Sequence, residues 1–440
     1  MTQAAVNIDV LIMGAGLSGI GSACHLQKHC PDKSYVILEA RQAIGGTWDL
    51  FRYPGIRSDS DMFGYGYHFK PWTKAQSIVE GHDIKQYIEE AASEHGVDQH
   101  IRFGHKIKSV EWSDASARWT VTVDVAGEEQ QFICKFFFSC GGYYNYEQGY
   151  TPDFEGIENY QGQVIHPQHW PSDLDYSGKR IVVIGSGATA VTLVPNLAKT
   201  AASVTMLQRS PSYIASLPAE DPLAKRLLQW LPTDWAYKLT RWKNILFSMA
   251  TFSIAKKKPS LIKQRLSQQI REYLGPDYDI KKHFRPRYEP WDQRLCMVPD
   301  GDLFQAIRSG KAEVVTDTIK GFTHEGIALN SGESLSADIV VMATGLKMEV
   351  FSGVTMTVNG KTINTGDTFS YKGMMLSGVP NFAFAVGYTN AAWTLKSDLV
   401  GEYVCRLLNY MEQQGKHICV TDAPLVLRAM NRLWIFLLVM

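Results

Sequence analysis

The stretch "VLIMGAGLSG", Val10–Gly19, decides how the rest of the chain is read. An apolar run from Ile8 to Met13 gives way to Gly14-x-Gly16-x-x-Gly19, and helical periodicity follows at once. Short apolar runs bounded by glycine are what a buried parallel strand requires. The three glycines divide the work: Gly14 permits the tight turn, Gly16 lets a pyrophosphate reach the backbone, and Gly19 lets helix and strand pack. The open N-terminus of that helix stabilises phosphate charge. The next strand, Tyr35–Leu38, ends at Glu39, twenty residues beyond Gly19, where a carboxylate accepts hydrogen bonds from ribose hydroxyls. A glycine motif alone is weak evidence, but strand, turn, helix and distal acid together specify a dinucleotide site.

The pattern recurs further along. "GSGATA", Gly185-x-Gly187-x-x-Ala190, follows the apolar run Arg180–Ile184, and the run Val204–Leu207 leads into Gln208, Arg209 and Ser210. No acid stands where a free 2′-hydroxyl needs one; a guanidinium and a hydroxyl suit a 2′-phosphate, which favours NADPH over NADH. Two dinucleotide sites in one chain imply a tightly held flavin fed by an exchanging nicotinamide, with FAD at the first site and NADPH at the second. Between them lies "GGTWDLFRYPGIRSD", Gly45–Asp59. Its Gly45 and Gly46 let backbone lie against a flavin, Thr47 is counted with them as cofactor-binding, and Trp48 and Tyr53 can wall the flavin from water.

Composition limits the alternatives. At 440 residues the chain exceeds one ordinary core, so two or three domains are expected. Lys+Arg and Asp+Glu both number 44, which removes bulk electrostatic support for a nucleic-acid partner and points to a small molecule. Seven cysteines with no CxxC and no metal-ligand spacing predict free thiols, a cytoplasmic setting and no metal. The N-terminal stretch lacks a basic region and cleavage site of the secretory kind. A further strand is expected at Ile339–Met342, ending in Ala343-Thr344-Gly345 where the chain crosses back between nucleotide domains. Trp119–Val125 and "QQFICKFFFSC" predict an antiparallel pair inserted in the first domain. From Pro222 to Leu274 the period becomes helical.

The fold class expected is α/β, with two Rossmann-like dinucleotide-binding domains and a helical insertion in the second. The expected division is 1–150 for the first part of the FAD-binding domain and 151–178 for a linker. Residues 179–220 and 286–345 form the NADPH-binding domain, 221–285 the insertion, and 346–440 the return to the FAD-binding domain with a C-terminal segment.

Two longer motifs make the reading specific. Gly162, His166, Trp170 and Pro171, with Tyr160 in place of Phe, match F-x-G-x-x-x-H-x-x-x-W-P; Gly45–Asp59 matches [A/G]-G-x-W-x4-[F/Y]-P-[G/M]-x3-D throughout. In these the chain resembles the Baeyer–Villiger monooxygenases, within the class B flavin monooxygenases. "RYEPWDQRLCMVPDGDLF" (Arg287–Phe304) and "VGYTNAAWTLKSDLV" bring it nearest the ethionamide-activating branch. The resemblance implies that NADPH reduces FAD, that O2 then gives a C4a-peroxyflavin, and that one oxygen enters a ketone to form an ester or lactone, or a sulfide to form a sulfoxide. It also implies that Arg294 is the active-site arginine, that Asp59 orients it, and that Gly162, His166, Trp170 and Pro171 belong to a linker coupling domain movement to cofactor position. Gln293 stands where several relatives have a 2′-phosphate-binding lysine, so the phosphate preference rests on Arg209 and Ser210.

Other classes are set against this. A flavoprotein disulfide reductase needs a redox cysteine pair beside the flavin, and Cys24/Cys30 and Cys134/Cys140 are too widely spaced. A heteroatom oxygenase and a weakly active membrane-associated NADPH oxidase are the alternatives within flavin chemistry. "WKNILFSMATFSIAKKKP", Trp242–Pro259, joins an apolar run to a lysine cluster and could lie on an anionic membrane, though it is too short to span one. The preferred reading is an insertion helix packed on its domain. The ending "LWIFLLVM" departs from the basic, aromatic tail of that branch and reads as an altered tail.

Overall fold

A computed structural model describes residues 6–293 and 295–422. The decisive stretch folds as read: strand Val6–Met13, the glycine turn, then helix Leu17–His29. Strand Val6–Met13 pairs in parallel with Tyr35–Glu39 on one side and Glu128–Ser139 on the other. Those partners extend into one large mixed sheet. Beyond Glu128–Ser139 come Arg118–Val125, His105–Ser113, Thr355–Val358 and Lys361–Thr362; beyond Tyr35–Glu39 comes Ile101–Phe103. The antiparallel pair expected at 119–140 forms, as an integral part of this sheet. Its second strand carries the sheet onward, because one edge pairs antiparallel with Arg118–Val125 while the other pairs parallel with Val6–Met13.

Helix Leu17–His29 is buried along its whole first ten residues. It lies between the sheet and helix Thr394–Gln413, with Ile20, Ala23 and Leu26 in the same core cluster as Val404 and Leu408. Each buried Val, Leu or Ile among them contributes about 1.5–3 kcal/mol.

The second sheet is wholly parallel, in the order Ala312–Thr316, Ser203–Gln208, Arg180–Ile184, Ile339–Met342, Gln163–Ile165. The last strand lies inside the stretch read as linker. It is held because Gln163–Ile165 pairs with Ile339–Val341, a long-range contact that its Gly- and Pro-punctuated sequence does not announce. Tyr144–Gly149, leaving the first sheet, and Leu346–Met348, returning to it, pair antiparallel as a two-stranded bridge.

The insertion comprises helices Pro222–Trp230, Thr233–Lys257 and Pro259–Leu274, with the short helix Ile280–His283 near its end. Strands Tyr213–Leu217 and Leu295–Pro299 flank it and pair in parallel, bringing its two ends together. Asp221 caps the first helix by accepting from Leu223 N and Ala224 N, with Pro222 preset for its first turn. The middle helix packs on residues 61–67, as expected of an insertion helix, but its largest apolar groups are not the ones that make the contact. Its buried face holds Ala236, Tyr237, Thr240 and Arg241, while Trp235, Trp242, Leu246 and Met249 are exposed. The inward face is chosen by hydrogen bonds. Arg241 Nη1 donates to the carbonyls of Phe63, Gly64 and Gly66, Tyr237 OH donates to Tyr67 O, and Asn244 Nδ2 donates to Asp61 Oδ1. No helix among the described residues is long and apolar enough to cross a membrane.

One buried carboxylate ties helix Leu17–His29 to helix Thr394–Gln413. Asp398 accepts from the His68 backbone N–H at 3.0 Å and lies 3.1 Å from His68 Nδ1 and 3.4 Å from His25 Nε2. The two imidazoles stack at 19°, so one ion cannot lie in both ring planes, and the trio reads as a hydrogen-bonded hub. Burial raises the Asp398 pKa, but the hydrogen bonds from His25 and His68 outweigh it and hold the carboxyl at about 2. A depressed carboxylate stabilises the fold above its unfolded pKa of about 3.9 and loses that contribution as pH falls toward the folded value. Asp398→Asn is thus expected to cost about 2 kcal/mol at neutral pH, with the difference in Tm from the parent closing between about pH 4 and pH 2. A Tm difference independent of pH would exclude this linkage.

Candidate functional site

The first glycine turn leaves no room for side chains. Gly14 has φ +95°, and a Cβ added at Gly19 would lie 1.9 Å from the Gly14 carbonyl oxygen. Gly16 is the N-cap of helix Leu17–His29 and offers no side-chain cap, so the N–H groups of the first turn stay open to a ligand. Gly46 crosses directly over Gly16, where a Cβ on Gly46 would sit 3.0 Å from Gly16 Cα.

Glu39 stands at the end of its strand, as its spacing predicts. Its Oε2 accepts from Ala15 N at 2.7 Å and its Oε1 from Arg41 N at 2.9 Å. Burial pushes its carboxyl pKa up, opposed by those two donors. Arg41 is a residue the sequence reading missed. Its Nη2 lies 2.5 Å from Asp49 Oδ2, while its buried Nη1 has no partner among the described residues. A buried guanidinium N–H left over beside Glu39 suits an acceptor-rich ligand such as a nucleotide.

The segment Gly45–Asp59 begins on this turn and ends on the other half of the molecule. Thr47 Oγ1 bonds Tyr144 OH at 2.7 Å, and Trp48 Nε1 donates to Tyr65 OH at 2.8 Å. Tyr144 and Tyr146 stack 4.9 Å apart beside the Gly46 turn. Trp393 Nε1 donates to Ser18 Oγ at 2.7 Å and its ring stacks on Tyr143. These rings form an aromatic wall whose Tyr143, Tyr144 and Tyr146 were also missed; the available signal was the run "GGYYNYEQGY".

Further along, Gly55 abuts Asn196 and Arg57 Nη1 donates to Asp302 Oδ2 at 2.6 Å, both partners lying in the second half. Tyr53 hydrogen-bonds Thr189 beside the second glycine turn, and burial pushes its hydroxyl pKa up to about 12. Asp59 and Gln293 are both exposed. Arg294 lies outside the described residues.

The second turn repeats the first. Gly185 has φ +138°, and a Cβ there would meet the Ala343 carbonyl oxygen at 2.3 Å. Gly187 caps helix Ala188–Leu197 without a side-chain hydrogen bond, and Ala190 is fully buried in the helix–sheet contact. Ser186 Oγ donates to Ser210 O at 3.1 Å and pairs with Ser212 Oγ at 2.9 Å, fixing the loop that carries Arg209. Arg209 and Ser210 are exposed there. Gln208 turns inward, its Nε2 donating to His283 O and Thr316 Oγ1, both at 2.8 Å.

His166 sits where the two halves are joined. Its Nδ1 accepts from Gln168 N at 3.2 Å, which leaves the proton on Nε2 to donate to Gly345 O at 3.2 Å. Its ring occupies the space a side chain at position 149 would fill, since a Cβ on Gly149 would lie 1.9 Å from His166 Cε1. Burial lowers the His166 pKa, opposed by the bond to Gly345, in keeping with a neutral ring. Gln168 Nε2 donates to Asn145 O, and His169 Nε2 bonds Glu147 O. Trp170 packs partly buried beside Tyr176, Pro171 is exposed, and Gly162 lies against Tyr160 and Asp338 O.

A family model described as flavin-binding monooxygenase-like matches residues 8–381. The chain belongs to that family. A curated family relative, "FAD-containing monooxygenase EthA" of Mycolicibacterium smegmatis (strain ATCC 700084 / mc(2)155), is 58% identical over 93% of this chain and 83% of its own length. Two solved structures share the fold. An open cyclohexanone monooxygenase has TM-score 0.80 at 20% identity, covering 94% of this chain and 89% of that one. An oxidised steroid monooxygenase bound to NADP has TM-score 0.78 at 24% identity, covering 94% and 87%. The resemblance read from the two long motifs is thereby borne out, and the α/β fold with it. As a flavin-binding monooxygenase-like protein the chain is an enzyme, which removes the disulfide-reductase reading; Cys24, Cys30, Cys134 and Cys140 are buried free thiols.

Proposed function

We propose that the chain binds FAD at the first glycine turn and NADPH at the second, and inserts one O2-derived oxygen into ketones and sulfides. The observation that carries this is the pair of uncapped, glycine-opened helices joined by one segment, Gly45–Asp59, that touches both. When bound, FAD supplies hydride acceptance from NADPH and the activation of O2. The residues supply the rest. Glu39 takes ribose hydroxyls, Arg41 Nη1 offers a donor beside it, and the open helix N-terminus at Gly16 stabilises the pyrophosphate. Trp48, Tyr144, Tyr146 and Trp393 exclude water from the cofactor face. Arg209 and Ser210 take the 2′-phosphate at the rim of the second turn, with Gln293 as a neutral neighbour where several relatives have a phosphate-binding lysine.

Arg294 is assigned by its motif position to the reacting centre, where its fixed charge stabilises negative charge developing on the substrate oxygen. Asp59 orients it. Gly162, His166, Trp170 and Pro171 act as positioning residues: His166 packs against Gly149 at the end of the outgoing Tyr144–Gly149 strand and bonds Gly345 on the return path, one of several contacts that tie the two halves together. The division at 1–150, 151–178, 179–220 with 286–345, 221–285 and 346–440 follows this assignment, with Gln163–Ile165 counted to the second sheet. The substrate is a small ketone or sulfide and the co-substrate O2; segment 242–259 is the part of the chain assigned to peripheral membrane contact.

The deciding experiment supplies NADPH, a simple ketone and labelled O2, and weighs the ester formed. One labelled oxygen per ester is expected; label taken instead from water would exclude the reading. The reductant is checked separately. The parent is expected to favour NADPH over NADH by about ten-fold or more in kcat/KM, since a charge-assisted phosphate contact contributes about 1.5–3 kcal/mol. Arg209→Ala should erase most of that preference, and equal use of both nicotinamides by the parent would remove the assignment of the second site.

A further inference from the structure

The insertion presents an apolar face that nothing within the described residues covers. On helix Thr233–Lys257, Trp235, Leu239, Trp242, Leu246 and Met249 follow one another at steps of four and three, so they form a single stripe. They are 62, 47, 63, 58 and 62% exposed. Phe247 beside the stripe is 65% exposed, and Trp230 at the end of the preceding helix is 84% exposed. Met249 lies fourteen positions beyond Trp235, a length of about 21 Å along the helix axis. The opposite face is not free to take their place, because Arg241, Tyr237 and Asn244 hold it to the backbone and side chains of 61–67. The amphipathicity is inverted relative to a helix on a water-exposed surface, with polar contacts inward and large apolar groups outward.

Charge selects the occupant. Between Leu223 and Lys258 stand eight Lys or Arg and a single acid, Asp234, in a chain otherwise balanced at 44 to 44. Lys225, Lys243 and Lys256 are paired with Glu220, Asp221 and Asp292, and Arg241 points inward. Arg226, Lys238, Lys257 and Lys258 remain exposed around the stripe. Two copies of such a face brought together would repel, whereas an anionic surface compensates the charge. Exposed tryptophans with flanking lysines suit the headgroup boundary, where an indole buries its ring and keeps its N–H wet.

We propose that the Trp230–Lys258 helices dock the enzyme on an anionic lipid bilayer, lying in its interface without crossing it. The contact is built on surface residues and stands apart from the cofactor assignments. Docking widens the sequence-level assignment of 242–259, because the face begins at Trp230 and its strongest anchors, Trp235 and Trp242, lie at and before the start of that segment.

The test uses the flavin-loaded full chain and vesicles of phosphatidylcholine, alone or with phosphatidylglycerol, carrying brominated acyl chains. Sedimentation with the anionic vesicles and quenching of tryptophan fluorescence are expected, both falling at about 0.5 M salt, where screening shortens to a few Å. The variant Trp235→Gln/Trp242→Gln/Leu246→Gln should keep its flavin and bind the anionic vesicles at least about ten-fold more weakly. Lys238→Gln/Lys257→Gln/Lys258→Gln should lose the preference for anionic over neutral vesicles. The proposal is overturned by an absence of sedimentation, or by undiminished binding in the tryptophan variant, which would assign the contact elsewhere. It is equally overturned by a lipid-free dimer that this variant abolishes, which would show a second copy on the face.

Discussion

Arg294→Ala is expected to bind FAD and NADPH normally yet lose ketone oxygenation by about two to three orders of magnitude, as removal of one preorganised stabilising group typically costs about 2.7–4 kcal/mol. The expected effect is large because a charge fixed in advance costs no reorganisation during reaction. Asp59→Ala should act in the same direction with a smaller loss, since the guanidinium survives but is less well oriented. Flavin absorbance and the rate of reduction by NADPH separate this from damage to the cofactor sites, and both should be unchanged in the arginine variant. If Arg294 served only to bind substrate, KM would rise with kcat preserved. Near-normal ketone turnover by the flavin-loaded variant would remove Arg294 from the mechanism.

The second large effect is expected at Gly19. A methyl group at that position would lie 1.9 Å from the Gly14 carbonyl oxygen and 3.0 Å from its carbonyl carbon, both backbone atoms that cannot swing aside. Gly19→Ala must therefore displace helix Leu17–His29 from the turn. Overpacking of this kind costs about 1–3 kcal/mol or more. Displacing the helix N-terminus also removes the phosphate-facing N–H groups from register, so purified Gly19→Ala is expected to carry little or no FAD. Gly96→Ala, at a position with φ +63° but open space around it, provides the comparison: its strain is backbone only, and it should keep its flavin. Full flavin occupancy in Gly19→Ala would show that the turn tolerates movement and is not the site proposed.

The glycine turns were legible because their constraint is local. Gly14 and Gly185 need a positive φ, and Gly19 needs the missing Cβ, whatever the rest of the chain does. Glu39 was legible because the distance from turn to strand end is set by one helix and one strand. Arg41 was not, since its significance lies in a buried Nη1 left without a partner after Asp49 has taken the other nitrogen. Gln208 was placed correctly in the chain, but only the packing of His283 and Thr316 around it shows that its side chain faces the interior.

By itself the sequence determined two dinucleotide turns, the strands that feed them, the helical insertion and the family, because each of these rests on spacing within a few tens of residues. The tertiary structure decided what meets across long separations: His166 against Gly149 and Gly345, Arg57 with Asp302, and Gln163–Ile165 beside Ile339–Val341. It also decided which side of helix Thr233–Lys257 faces outward. Periodicity marks an apolar stripe but carries no record of what covers it. There the hydrogen bonds of Arg241, Tyr237 and Asn244 to residues 170–183 positions away hold the polar side inward, leaving the tryptophans to the surface.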